Sequence, residues 1–262
     1  MPHADTHRFV LPVGVPEREV VAARLLALGA HGVWERTDEV VAWFDDPDVE
    51  VPAGGRWELE RDRDWQAEWK ATVRPVRAGR VVVVPTWLAD DHRPAPEELT
   101  LVLDPGRAFG SGHHATTCLC LELLDDLALP GRTVADVGCG SGVLAIAAAR
   151  RGADVVAVDV DRAAVEVTRE NAERNHAALD VRHGSVEVLD GPVDVVVANL
   201  LTDTVAELAE RLAAVGDLLI VSGITAERRD VALDPLRDAG VHLEEIRERD
   251  GWIAVRGRRD GA

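Results

Sequence analysis

Apolar positions follow two rhythms in the first 60 residues. From Arg8 to Val13 they run together as a strand. After Pro16, Val20, Val21, Leu25, Leu26 and Leu28 recur at helical spacing until Gly29. Gly32 to Glu35 and Val40 to Phe44 read as a hairpin around Thr37-Asp38-Glu39, and Trp57 to Arg61 as one more strand. These elements predict a small α/β unit over residues 1–61, marginal alone by size. Residues 62–96 read as a linker. Asp64, Trp65, Glu68 and Trp69 suggest a short helix with both indoles on one face, Val81 to Val84 is a strand, and Pro85, Pro94 and Pro96 mark connectors.

Beyond residue 97 strands and helices alternate, the mark of a parallel sheet covered on both faces. Strands are predicted at 134–137, 154–158, 180–183, 193–198 and 218–222, and helices at 116–127, 142–151, 162–175, 204–214 and 226–239. Runs such as Val195-Val196-Val197 suit strands buried on both sides. His242 to Glu248 and Gly251 to Arg256 read as a closing hairpin, which places one antiparallel strand on the sheet.

Composition narrows the function classes. A formal charge of −18 over 262 residues argues against gripping nucleic-acid phosphate and suits a cationic partner. Lys70 is the only lysine. Cys118, Cys120 and Cys139 make no disulfide framework, and Cys118-Leu119-Cys120 has too few companions for a zinc site, so buried thiols are expected. The polar start, Met1 to Arg8, lacks the regions of a secretory signal, and no apolar run approaches a membrane span. A cytoplasmic monomer is expected. Six of the seven tryptophans precede residue 90, which suits either a recognition surface or packing between domains.

Val134-Ala-Asp136-Val-Gly138-Cys-Gly140-Ser-Gly142 runs from a strand through three alternating glycines into a helix. Glycines permit a sharp turn and close approach of a ligand to the unpaired N–H groups of the helix start. A pyrophosphate turn would need glycine where Val143 stands. The glycines after an acid resemble instead motif I of class I methyltransferases, where the loop curves around the amino acid end of S-adenosylmethionine. Asp159, at the tip of the next strand, can accept hydrogen bonds from both ribose hydroxyls, while Asp161 is placed to cap the following helix. His183-Gly184-Ser185 ends the third strand, where this class commonly contacts adenine. Asn199-Leu200-Leu201 ends the fourth, and is similar to the Asn-Pro-Pro-Tyr motif of amino methyltransferases. A carboxamide there can orient a substrate nitrogen without removing its proton.

Asp104-Pro-Gly-Arg-Ala-Phe109-Gly-Ser111-Gly-His113-His114-Ala115-Thr116-Thr117 precedes a helix. Two histidines invite a metal, but no acid or cysteine cluster completes a coordination set, and no metal is expected. The stretch resembles the loop before motif I in the PrmA family, the methyltransferases of large-subunit ribosomal protein L-eleven. Ser222-Gly223-Ile224 and Trp252 match further along. Weaker echoes are Gly32-Val33-Trp34-Glu35, Trp69-Lys70 and Pro85-Thr86-Trp87. Ser111 and Ala115 depart mildly, at positions where that family commonly has threonine and proline.

The resemblance implies a class I, Rossmann-like methyltransferase domain at 97–262 with a mostly parallel seven-stranded sheet, behind a ferredoxin-like domain for substrate recognition. It implies S-adenosyl-L-methionine as cofactor and methyl transfer to amino groups of ribosomal protein L-eleven: lysine side chains and the N-terminal amine. Another protein's lysine or a small molecule stands as the alternative acceptor. The cofactor contacts implied are Thr117, Gly138, Gly140, Asp159, Ser185 and Asn199. Asn199, Phe109 and His114 would stand near the reacting amine, His114 as the candidate base.

Overall fold

The computed structural model describes residues 6–14, 17–36, 38–60, 72–104 and 114–261. The predicted helix with Trp65 and Trp69, and the loop carrying Phe109 and His113, lie outside the described residues. The chain divides into two compact units, Met1–Val73 and Arg74–Ala262.

In the first unit β1 (Thr6–Pro12), helix α1 (Arg18–Ala27), β2 (Gly32–Glu35), β3 (Glu39–Phe44) and β4 (Arg56–Glu60) form one antiparallel sheet in the order β2-β3-β1-β4. That order is ferredoxin-like. Residues 45–55 run through turns where the second crossover helix of such a domain would stand. Phe9, Leu11, Leu25, Val40, Ala42 and Phe44 make the core, closed by Trp57 tilted against Phe9 with ring centroids 5.1 Å apart.

The second unit opens with a small sheet in which β6 (Val81–Pro85) pairs antiparallel with β5 (Val76–Ala78) and parallel with β7 (Leu99–Leu103). The strand expected at Val81 to Val84 is thus β6, and residues 76–96, placed in the linker from sequence, belong largely to this sheet and to its crossover. Leu101 and Leu103 are buried in the same core as the helices that follow.

The main sheet contains β8 (Thr133–Val137), β9 (Asp154–Asp159), β10 (Asp180–His183), β11 (Val193–Asn199), β12 (Gly216–Thr225), β13 (Val241–Arg249) and β14 (Trp252–Arg259). Their order is β10-β9-β8-β11-β12-β14-β13. β8 to β12 are parallel, and β14 runs antiparallel to both its neighbours. The helices are α2 (Ala115–Asp125), α3 (Val143–Arg150), α4 (Arg162–Arg174), α5 (Thr202–Val215) and α6 (Arg229–Asp238).

Alternate strand residues enter opposite layers. Val134, Val195 and Val197 pack with Leu119, Leu123 and Ile146, while Ala135, Val137, Val196 and Ala198 pack with Val205, Leu212 and Leu233. This two-sided burial explains the unbroken aliphatic runs. α3 is buried from Val143 to Ala148, as its all-apolar sequence demands. The strand order reverses between β8 and β11, and an open α/β sheet leaves a crevice at the carboxyl ends of its strands at that point. No helix among the described residues is long and apolar enough to cross a membrane.

Candidate active site

The glycine turn after β8 is tied down from outside. The N–H groups of Gly138 and Cys139 both donate to the Val158 carbonyl, at 2.8 and 3.0 Å. Gly138, Gly140 and Gly142 have φ of 76°, 56° and 81°, a left-handed backbone that explains their spacing. Thr168 Oγ1 donates to the Gly140 carbonyl and Asn171 Nδ2 to that of Ser141, each at 2.9 Å. α4 therefore buttresses the turn, a role that no local pattern around Thr168 announces.

Asp159 ends β9 with both oxygens engaged. Oδ2 accepts from the Gly140 N–H and Oδ1 from the Asp161 N–H, each at 2.9 Å. The carboxylate is thereby fixed while each oxygen keeps a further lone pair. Asp161 caps α4 through the Ala163 N–H at 2.9 Å, the part its position suggests. Between these acids Val160 is 71% exposed, an apolar face at a polar strand tip. Its place between Asp159 and Asp161 was the one available signal for it. On the adjoining strand His183 pairs with Asp159, and Ser185 follows, its N–H held by Glu187 Oε1 at 3.0 Å.

Asp136, on β8 two residues before Gly138, is 1% exposed. Oδ2 accepts from the Ala145 N–H at 3.0 Å in the first turn of α3, and Oδ1 has no partner. Burial pushes its carboxyl up to about 7; the Ala145 amide opposes the shift and the nearby Asp159 charge adds to it.

At the end of β11, Asn199 Nδ2 donates to Thr117 Oγ1 at 3.3 Å. Asn199 Oδ1 is buried without a partner. Thr117 is itself fully buried on α2. Leu200, next along, places Cδ2 over Gly138, where a Cβ would lie 2.2 Å away. A side chain at Gly138 would thus collide with this leucine. Gly223 has φ 82°, and a Cβ there would lie 1.8 Å from the Leu200 carbonyl oxygen. That close approach coincides with the register shift of β12 against β14 between Val221 and Ile224.

His114 caps α2, Nδ1 accepting from the Thr116 N–H at 3.4 Å and lying 2.8 Å from Thr116 Oγ1. Its ring meets Trp252 edge-on, centroids 4.9 Å apart. With Nδ1 accepting, the proton of the neutral ring resides on Nε2. All three cysteines are free and buried.

Gly138, Gly140, Asp159, Ser185 and Asn199 therefore stand on neighbouring strand ends of one sheet, and Thr117 reaches the same rim from α2. The residues fit a nucleoside-bearing cofactor: a glycine turn, a fixed carboxylate with spare acceptor capacity, an exposed apolar side chain beside it, and an unpartnered buried carbonyl.

Residues 18–260 match the family model described as ribosomal protein L11 methyltransferase (PrmA). A ribosomal protein L11 methyltransferase of Pelotomaculum thermopropionicum is 47% identical over 205 residues, covering 75% of this chain and 66% of that protein. The chain thus spans about two thirds of that relative's length. A protein of the same name from Pseudomonas paraeruginosa is 38% identical over 251 residues, covering 88% of this chain and 84% of its own. The crystal structure of a ribosomal protein L11 methylase from Lactobacillus delbrueckii subsp. bulgaricus superposes with a TM-score of 0.67 at 29% identity, over 71% of this chain and 99% of that one. With the glycine turn, the acid at the second strand end and the amide at the fourth all in place, the chain belongs to the ribosomal protein L11 methyltransferase (PrmA) family.

Proposed function

We propose that this protein transfers methyl groups from S-adenosylmethionine to amino groups of ribosomal protein L11, lysine side chains among them. The observation that carries the reading is the buried Asn199 Oδ1. Its amide nitrogen is turned to Thr117, so the site presents a lone acceptor. An unsatisfied buried acceptor costs about 1–3 kcal/mol, which an N–H of the arriving amine removes. A neutral amine that donates one hydrogen to Asn199 keeps its lone pair for attack. The carboxamide takes up no proton, so it orients the nitrogen and leaves deprotonation to the surroundings.

When bound, S-adenosylmethionine supplies a methyl carbon already activated by its sulfonium. Asp159 would hold the ribose hydroxyls, Val160 and Ser185 would flank the adenine, and the Gly138 to Gly142 turn would accommodate the amino acid end. Neutralising free lysine, pKa ~10.4, at pH 7 requires about 4.6 kcal/mol. A neighbouring cation and exclusion of water both favour the neutral amine. His114, whose Nδ1 is taken by the helix cap, supports the site through Trp252 rather than as a base. Phe109 is assigned to the amine side on the family resemblance alone. The acidic chain recognises a basic partner without contacting nucleic acid, as a cytoplasmic monomer, and residues 1–73 dock the substrate.

The test is mass spectrometry of L11 on ribosomes from a strain lacking the enzyme, after incubation with this protein and isotopically labelled S-adenosylmethionine. Label on lysine or N-terminal amines of L11 is the expected outcome. Label confined to another protein, or to non-amino groups, overturns the reading.

A further inference from the structure

Leu200 carries no polar side chain, yet three constraints meet on it. Its N–H donates to the Ser222 carbonyl at 3.1 Å. Its carbonyl passes over Gly223, where a Cβ would lie 1.8 Å from the oxygen and 2.6 Å from the carbon. Its Cδ2 fills the place of the absent Gly138 side chain. The main chain is seated in the irregular stretch of β12 while the side chain rests on the glycine turn. The next residue but one is fixed as well, Thr202 Oγ1 donating to the Gly223 carbonyl at 3.3 Å.

Asn199, by contrast, is weakly held by its own bonds. Its one side-chain hydrogen bond measures 3.3 Å, beyond the usual N–H···O distance of about 2.9–3.0 Å. The carboxamide must take its orientation from packing around the strand end, and Leu200 is the adjoining side chain packed on the cofactor turn.

We propose that Leu200 is a positioning residue, a wedge that sets the glycine turn and the Asn199 carboxamide in one fixed register. The proposal rests on the amino-acceptor reading of Asn199. Truncating the wedge frees the strand end to shift against the turn, and a ~1 Å misplacement of a reacting group costs about 10²-fold in rate. A residue serving only as core filler would instead lower stability and cofactor affinity together.

The test compares Leu200→Ala with Leu200→Met in the full chain. In the free protein, the side-chain 1H–15N pair of Asn199 is identified by its loss in Asn199→Ala. That pair should shift and exchange with water at least about tenfold faster in Leu200→Ala, and stay near its original position in Leu200→Met. Calorimetric affinity for S-adenosylhomocysteine should stay within about threefold in both. On L11, kcat should fall roughly 10- to 100-fold in Leu200→Ala, recover in Leu200→Met, and fall less than about threefold further when Leu200→Ala is added to Asn199→Ala.

An unmoved amide pair in Leu200→Ala overturns the proposal, as does a loss of affinity matching the loss of kcat, or full additivity with Asn199→Ala. The amide pair needs no acceptor. A wild-type protein that ignores L11 would therefore sink the substrate reading while the wedge is still decided by the spectrum.

Discussion

At Asp136 a carboxyl sits in the sheet with one oxygen on the Ala145 amide and the other unpartnered. Burial holds it near 7, far above the 3.8 of a free aspartate. The folded protein therefore binds a proton more tightly than the unfolded chain between about pH 4 and 7. Stability from this group is complete below its unfolded pKa and is lost as pH rises through the folded one. Urea unfolding from pH 5 to 7.5 should show Asp136→Asn losing less stability than the parent over that window. Equal slopes would mean that the carboxyl ionises freely. Glu19, raised to about 8 chiefly by burial and then by the Glu35 charge, acts with the same sign in the first unit, so the comparison must be made between variant and parent.

Among elements, β12 shows how a motif can be visible while its reason is not. Ser222-Gly223-Ile224 stands out in the sequence only as part of a resemblance; its cause is the Leu200 backbone passing over Gly223. Gly223→Ala should cost more than the ~1–2 kcal/mol of a left-handed alanine, because backbone must also move. Gly251→Ala is the control: its φ is 77°, but nothing lies within 4 Å of a Cβ there. Equal losses of Tm in the two variants would show that the approach over Gly223 relaxes freely. The strands of the main sheet were legible because burial on both faces writes continuous aliphatic runs, and Asp159 and Asn199 because polar residues punctuate their ends. β5 has three residues, too few to display a period, and β7 meets β6 in parallel through a crossover that contains no long helix. Leu200 on Gly138, Thr168 under the turn and Asp136 with a spare oxygen are products of contact between distant segments. No local pattern encodes them.

Whole-molecule behaviour turns on where the chain can be cut. The chain divides into its compact units between Val73 and Arg74, and within the second β6 pairs with β5 and with β7. If residues 1–73 dock the substrate as proposed, a fragment of residues 74–262 should bind S-adenosylhomocysteine like the full chain, yet methylate L11 with kcat/KM lower by at least about tenfold. A fragment of residues 97–262 leaves β7 without its partner and should aggregate. Full activity of a soluble 74–262 fragment would remove the recognition role from residues 1–73. Failure of that fragment to bind the cofactor product would mean that the first unit helps to build the site.

β14 is the last of the seven strands in sequence and lies inside the sheet, between β12 and β13. While the chain is being made, β12 has no neighbour on that side until residues 252–259 emerge, and the edge it offers is apolar from Leu218 to Val221. A chain stalled before β14 should therefore bind no cofactor, however completely the glycine turn has been synthesised.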